Sequence, residues 1–333
     1  MNLSYLAMML SIDLLVLEAT GPLGVAATTE LAEAARLTHL GDGAAGIDVR
    51  VVGGETGTVA LRGGLAVAAT PLADAGAARP WVVVPGIGAA GPAEMERRLA
   101  STDVHRAADW LAAAVAGGSA VAASCTGTFV AGLAGALDGR LVTTTWWLAG
   151  FFGRRFPACR VDADRMTVRD GPVLTAGSAL GHVDLLLELI GDELGERVAG
   201  AVAARAAASR RPSQAPFRRT AGYPDLDPGL AEVERYVLDR LDRPVRLAEL
   251  AAAVHLSART LDRRMQAATG LSPMRFVQRI RVEAALDLLR DRSLSMAQIA
   301  AAVGVADAAA LHHLIRRATG QPPQAFRPGA ARS

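Results

Sequence analysis

Cys125 is one of only two cysteines in the 333-residue chain, and it stands in the stretch Ser119-Ala-Val-Ala-Ala-Ser-Cys-Thr-Gly-Thr-Phe-Val-Ala-Gly132. Small residues flank it on both sides, after an apolar run that reads as a strand and before a helical pattern. That is the composition of a sharp strand-turn-helix elbow, as in Gly-x-Ser-x-Gly turns. A thiol there stands at a helix N-terminus, where unpaired N–H groups and the dipole favour thiolate. The Thr126 amide and an amide of the Pro85-Gly-Ile-Gly88 turn are placed to bind an oxyanion.

A second set of residues points to different chemistry. Glu249-Leu-Ala-Ala-Ala-Val-His-Leu-Ser-Ala-Arg-Thr-Leu261 parallels Gln298-Ile-Ala-Ala-Ala-Val-Gly-Val-Ala-Asp-Ala-Ala-Ala-Leu311, and Ala268–Phe276 parallels Ala318–Phe326. Two copies are too few for a solenoid and imply a paired module. Each reads as a short helix, a tight turn and a second helix opened by a cap, Ser257 or Asp307. Leu261 and Met265, like Leu311 and Ile315, are spaced to lie on one buried stripe. The first outward face then presents Arg259, Thr260, Asp262 and Arg263, with Arg264 toward the flank. Arginines one turn apart suit the major groove, where a bidentate contact to guanine discriminates by about 1–3 kcal/mol. The second outward face carries Ala308, Ala309, Ala310, His312 and His313, followed by Arg316 and Arg317. Alanine offers only methyl contacts, so the first helix is expected to carry base specificity and the second to meet phosphates. His312 and His313 are adjacent, point in different directions on a helix and have no further ligand in view, so no metal is expected. A plain helical bundle with a charged exterior would explain neither the duplication nor the local excess of arginine.

Composition agrees with that division. All 35 basic residues are Arg; residues 1–217 carry 17 of them against 21 acidic residues, and residues 218–333 carry 18 against 12. A basic third behind an acidic remainder suggests that the third meets a polyanion. The charge-free run Trp110–Leu137 is long enough to span a bilayer. Its Ala, Gly, Ser and Thr content, broken by Gly117-Gly118 and Cys125-Thr-Gly127, reads instead as helix, turn, buried strand, turn and helix. No membrane association is expected. Two cysteines make no disulfide framework, and Met1-Asn-Leu-Ser-Tyr-Leu6 lacks the basic start of a secretory signal, so the cytoplasm is the expected compartment.

These elements are organised as two domains, consistent with the chain length. Ile47–Val52, Trp81–Val84 and Ser119–Ala123 read as buried strands, with helical patterns over Ala93–Ala116 and Thr126–Leu137, the pattern of an α/β domain with a mainly parallel sheet. Residues 205–227, rich in Pro and polar residues, read as a linker. The expected domains are therefore 1–204, an α/β flavodoxin-like sandwich, and 228–333, an all-α domain with two helix-turn-helix units.

Residues 228–327 resemble the DNA-binding domain of the AraC family of transcription regulators, in both helix-turn-helix units, the joining helix Met274–Arg290 and the closing Gly320-Gln-Pro-Pro-Gln-Ala-Phe-Arg327. Residues 1 to about 217 resemble the PfpI/ThiJ, class I glutamine amidotransferase-like domain, on Leu17-Glu-Ala-Thr-Gly-Pro22, Val82–Gly86, Ser124-Cys-Thr-Gly127, Leu137-Asp-Gly-Arg140 through Trp146-Trp147, and Ser213-Gln-Ala-Pro-Phe217. This fusion is similar to the GlxA-type regulators. The resemblance implies a DNA-binding regulator that works on double-stranded DNA as a homodimer, without a cofactor, under control of an unknown small-molecule effector. The implied effector site comprises Glu18, Gly86, Cys125, Thr126 and Thr145. Family members commonly have Asp where this chain has Glu18 and His where it has Thr145, and that His would be the partner of a hydrolytic cysteine. His39, His105 and His182 match no expected position and read as ordinary structural or surface groups. Cys125 is thus a pocket residue, a residual nucleophile or an inert thiol, with a cysteine-dependent hydrolase or hydratase that also binds DNA as the alternative function.

Overall fold

The computed structural model describes residues 9–38, 46–218 and 228–328; the opening stretch Met1–Leu6, His39 and linker residues 219–227 lie outside the described residues. The strands in chain order are β1 (Met9–Leu15), β2 (Gly46–Val52), β3 (Thr58–Ala60), β4 (Ala66–Ala68), β5 (Trp81–Val84), β6 (Ala120–Ser124), β7 (Leu141–Val142), β8 (Arg160–Val161), β9 (Thr167–Asp170) and β10 (Val173–Ala176). The helices are α1 (Pro22–Arg36), α2 (Pro92–Leu99), α3 (Thr102–Ala116), α4 (Gly127–Leu133), α5 (Ala149–Arg155), α6 (Gly181–Leu194), α7 (Glu196–Arg205), α8 (Pro228–Leu238), α9 (Leu247–Ala253), α10 (Ala258–Thr269), α11 (Pro273–Leu288), α12 (Met296–Ala302) and α13 (Ala308–Thr319). They divide into two compact units: residues up to Thr145 with Arg155–Pro212, and Trp146–Arg154 with the chain from Ser213 onward.

The first unit is built on a six-stranded sheet in the order β2-β1-β5-β6-β10-β9, parallel throughout except for β9 on the edge. All four residues of β5 are buried, as the continuous apolar run Trp81–Val84 requires of a strand covered on both faces. Counting only the five parallel strands, the order is 2-1-3-4-5, the flavodoxin-like arrangement. Strand order reverses between β1 and β5, and ligands in such sheets bind beyond the carboxyl ends of strands at that reversal. The turns after β1 and β5 meet there: Gly21 N–H donates to Gly86 O at 3.0 Å. One buried charge sits in the sheet, Asp13 on β1. Arg50 grips its carboxylate with Nε and Nη2 at 2.7 and 2.8 Å, which offsets the desolvation that an unpaired buried carboxylate would suffer.

Two expected helices are shorter in the fold. The pattern over Ala93–Ala116 is interrupted at Ser101, whose extended backbone caps α3 and whose hydroxyl donates to Arg98 O at 2.6 Å, so that α2 and α3 are separate. The pattern over Thr126–Leu137 stops at Leu133 because Gly135 turns left-handed, with φ +70°. Between α3 and α4 the charge-free run folds as the expected succession of helix, turn, buried strand, turn and helix. Among the described residues no helix is long and apolar enough to cross a membrane.

The second unit has two apolar cores that share α11. Phe276, Val277 and Ile280 pack with Leu250, Leu261 and Met265, together with Trp146 from the Trp146–Arg154 segment. Val282, Ala285, Leu286 and Leu289 pack with Ile299, Leu311 and Ile315. Opposite faces of the two halves of one helix thus wall both helix-turn-helix cores.

Candidate functional sites: the reading helices and the Cys125 elbow

The second helix of each helix-turn-helix, α10 or α13, is locally well specified. Ser257 Oγ accepts from Thr260 N–H at 3.1 Å and Asp307 Oδ1 from Ala310 N–H at 2.7 Å, so both anticipated caps are formed. Each helix ends at a left-handed glycine, Gly270 or Gly320, which satisfies the terminal carbonyls without Cβ strain. Leu261, Met265, Leu311 and Ile315 are fully buried, which turns the opposite faces outward. Arg259, Asp262, Arg263 and Arg264 are exposed on α10, whereas Thr260 is half-buried with its hydroxyl against Ser257 Oγ at 2.9 Å. On α13, Ala309, His313, Arg316 and Arg317 are exposed; Ala308, Ala310 and His312 are half-buried. The His312 and His313 rings lie edge to face with centroids 6.0 Å apart, and among the described residues no group of three or more His, Cys, Asp or Glu side chains is placed to hold a metal.

The elbow is formed in the first unit. Cys125, next after β6, has φ +51°, a left-handed conformation that a non-glycine residue adopts only when its surroundings impose it. Its N–H donates to Ala176 O at 2.8 Å, and its carbonyl accepts from Thr128 Oγ1 at 2.7 Å and Thr144 Oγ1 at 3.2 Å. The next turn is equally constrained. A Cβ on Gly127 would lie 2.4 Å from Val84 O and 2.5 Å from Pro85 O, so glycine is required for α4 to start this close to β5.

Beneath the elbow lies one of the histidines that match no expected position in the sequence. His182 on α6 is buried, with Nδ1 2.8 Å from Ser124 Oγ and Nε2 2.8 Å from Thr28 Oγ1. It ties β6, α1 and α6 together, and burial pushes its pKa down to about 4, which keeps the ring neutral. Both ring nitrogens are occupied, so His182 is not a base for Cys125.

Electrostatically the site departs from the expectation of a thiolate. Burial is the largest influence on Cys125 and raises its pKa; hydrogen bonding from the Thr126 amide and from Thr145 and Thr126, and the charge of Arg62, pull the other way without prevailing. The Thr126 amide is directed at the thiol itself, and the Gly88 amide donates to Thr126 Oγ1 at 3.2 Å.

Of the effector-site residues expected from sequence, Gly86, Cys125, Thr126 and Thr145 converge. A Cβ added to Gly86 would lie 3.2 Å from Thr126 Oγ1 and 3.5 Å from Cys125 Sγ. Thr145 is fully buried near the thiol, and its Oγ1 has no partner at hydrogen-bonding geometry. Glu18 stands apart. Its side chain is exposed, its carbonyl accepts from Arg98 Nη2 at 2.6 Å, and its carboxylate is not among the groups acting on Cys125. Arg62, absent from the expected set, does act on it; nothing in Leu61-Arg-Gly-Gly-Leu65 signals that role, because the turn reaches Cys125 only through the fold.

A family model described as a helix-turn-helix domain matches residues 250–329. The transcriptional regulator GbdR of Pseudomonas aeruginosa is 27% identical over 217 residues, 64% of this chain and 58% of that protein. The regulator GlxA of Rhizobium meliloti is 29% identical over 206 residues, 61% of this chain and 63% of that protein. The chain thus spans only about three fifths of the length of these curated relatives. Stretches this long exceed the residues from Pro228 to the end, so the likeness extends into the α/β unit. A solved ThiJ/PfpI family protein from Pseudomonas syringae is similar at 18% identity, with a TM-score of 0.49 over 62% of this chain and 78% of that one. The chain is thus similar to the helix-turn-helix transcriptional regulators GbdR and GlxA, with a helix-turn-helix domain at residues 250–329.

Proposed function

We propose that this protein is a sequence-specific regulator of transcription, active in the cytoplasm as a homodimer, and that a small molecule bound in the α/β unit around Gly86, Cys125, Thr126 and Thr145 controls it. The observation that carries the DNA-binding part is the pair of capped helices with their apolar stripes buried and Arg259, Arg263, Arg316 and Arg317 exposed. Arg263 and Arg259 read bases, and Arg316 and Arg317 neutralise phosphates. Control by a ligand is supported by the course of the chain. Thr145 lies beside the thiol in the first unit, and the next residue, Trp146, lies in the core of the second. An effector that binds better to one arrangement of Thr145 biases the segment that follows, as differential affinity requires.

Cysteine hydrolysis has less support. The thiol is held protonated by burial, and the one histidine beneath the elbow is engaged at both nitrogens. Full-length protein should enrich a defined set of fragments from sheared genomic DNA, with affinity falling steeply as salt rises. A screen of small metabolites should then find one that changes affinity for those fragments in wild type and not in Thr145→Val. Enrichment no better than on random DNA would remove the regulator reading. A metabolite response that persists unchanged in Thr145→Val and Cys125→Ala would move the effector elsewhere.

A further inference from the structure

We propose that the Cys125 site takes an anion, a small carboxylate whose negative group is held by Arg62. The assignment rests on the effector reading above and gives that effector a chemical class. Arg62 lies in the turn between β3 and β4, where its N–H donates to Thr20 O at 3.1 Å and Leu61 N–H donates to Leu65 O at 2.8 Å, fixing the turn. Its guanidinium spans the two turns that meet at the strand ends. A Cβ built on Gly21 would come within 3.3 Å of Nη2, and one on Gly88 within 3.4 Å of Nη1. Larger residues at either position would displace it.

Three features make this arrangement a site for a negative group. First, among the described residues the Arg62 guanidinium has no hydrogen-bond or ion-pair partner. Arg50, Arg79, Arg98, Arg140 and Arg211 of the same unit are all paired with Asp. Second, Thr145 Oγ1 is completely buried beside the thiol, with no partner at hydrogen-bonding geometry, and a ligand oxygen would supply one. Third, among the described residues no acidic side chain is one of the groups acting on Cys125. Cys125 is a neutral thiol, Thr126 and Thr145 are hydroxyls, and the Glu18 carboxylate is not among the groups acting on Cys125. A planar carboxylate suits this set because guanidinium binds it bidentately while its substituent lies toward the thiol and Thr145.

Two alkylating reagents of nearly equal size test the charge preference on the full-length protein. Iodoacetate is a carboxylate and iodoacetamide its neutral counterpart, and each transfers its methylene carbon to sulfur with loss of iodide. The rate ratio of iodoacetate to iodoacetamide is measured at Cys125 by peptide mapping and divided by the ratio for the same residue in urea-unfolded protein. The normalised ratio is expected to exceed one by roughly fivefold at low salt, to shrink toward one in 1 M NaCl, and to fall to about one in Arg62→Gln. Cys159 supplies an internal contrast. Its thiol is raised to about 11 by burial and by the charge of Asp138, so its ratio should lie below one. Acetate should protect Cys125, and inorganic phosphate at equal ionic strength should protect it less.

A normalised ratio of one or lower, a ratio unchanged in Arg62→Gln with native near-ultraviolet circular dichroism, or a Cys125 that neither reagent reaches would overturn the proposal. Protection by phosphate and not by acetate would overturn the carboxylate assignment. The two alkylated proteins are then compared for affinity toward the enriched DNA fragments. A high ratio with no effect of either adduct on DNA keeps the anion site and removes the effector reading. A ratio of one with altered DNA affinity does the reverse.

Discussion

Ser257 and Asp307 cap α10 and α13 through the same bond, and Leu261, Met265 and Thr269 recur fifty positions later as Leu311, Ile315 and Thr319. Even the back-bonds of the two threonines match, Oγ1 to the carbonyl four residues earlier at 2.8 Å in each helix. The outward positions do not. Arg259 and Arg263 in the first copy are Ala309 and His313 in the second, while Gln266 and Ala267 become Arg316 and Arg317. Charge has moved from the start and middle of the helix to its last turn. A helix that enters the major groove by its N-terminal half can read bases only with side chains placed there, so under the proposed reading equal frames serve unequal tasks. The turns differ as well. His255 and Gly304 occupy equivalent left-handed positions, with φ +55° and +64°.

The sharpest way to break this comparison is to exchange the turns. A Cβ at Gly304 would lie 2.2 Å from Leu241 O, so Gly304→His should destabilise the second unit by at least about 3 kcal/mol in urea unfolding. A loss under 1 kcal/mol would mean that the second turn has the same room as the first.

Base reading comes next in size. Arg263→Ala should cost about 1–3 kcal/mol of discrimination between selected and random DNA, whereas His313→Ala should cost a small fraction of that in the same competition assay. Equal losses would erase the proposed division of labour.

Caps should behave alike where outward faces do not. Ser257→Ala and Asp307→Ala should each lower stability by about 1 kcal/mol, since each removes the acceptor for one N–H of the first turn. Arg316→Ala should weaken selected and random DNA equally and reduce the salt slope of binding by about one. The smallest effect is expected from His255→Gly. Relief of a left-handed histidine, offset by the greater freedom of glycine in the unfolded chain, should leave a gain of no more than about 1 kcal/mol, read as a shifted urea midpoint.

Much of the second unit was legible because its signals are local. Caps, apolar spacing, the duplicated motif and the joining helix all lie within a few turns of one another along the chain, and burial of Leu261, Met265, Leu311 and Ile315 follows from their periodicity. The α/β unit was legible only in part. Trp81–Val84 reads as a buried strand, but β1 carries Asp13 in its middle, and only pairing with Arg50 makes that strand tenable. The break between α2 and α3 depends on a side-chain bond from Ser101 that competes with the helix.

From its sequence alone this protein is determined to have an α/β unit with an elbow at Cys125 and a basic unit with two helix-turn-helix copies, because strand runs, helix stripes, caps and glycines act over short distances. Tertiary structure decided the chemistry of the elbow. Parallel strands joined by crossovers bring Arg62, Gly86 and Thr145 to Cys125 from far along the chain, place His182 beneath Ser124, and leave Glu18 facing solvent. The protonation of the thiol was decided there too. The cost of removing a charge from water depends on what surrounds it on all sides, and residue order along a single chain does not specify that environment.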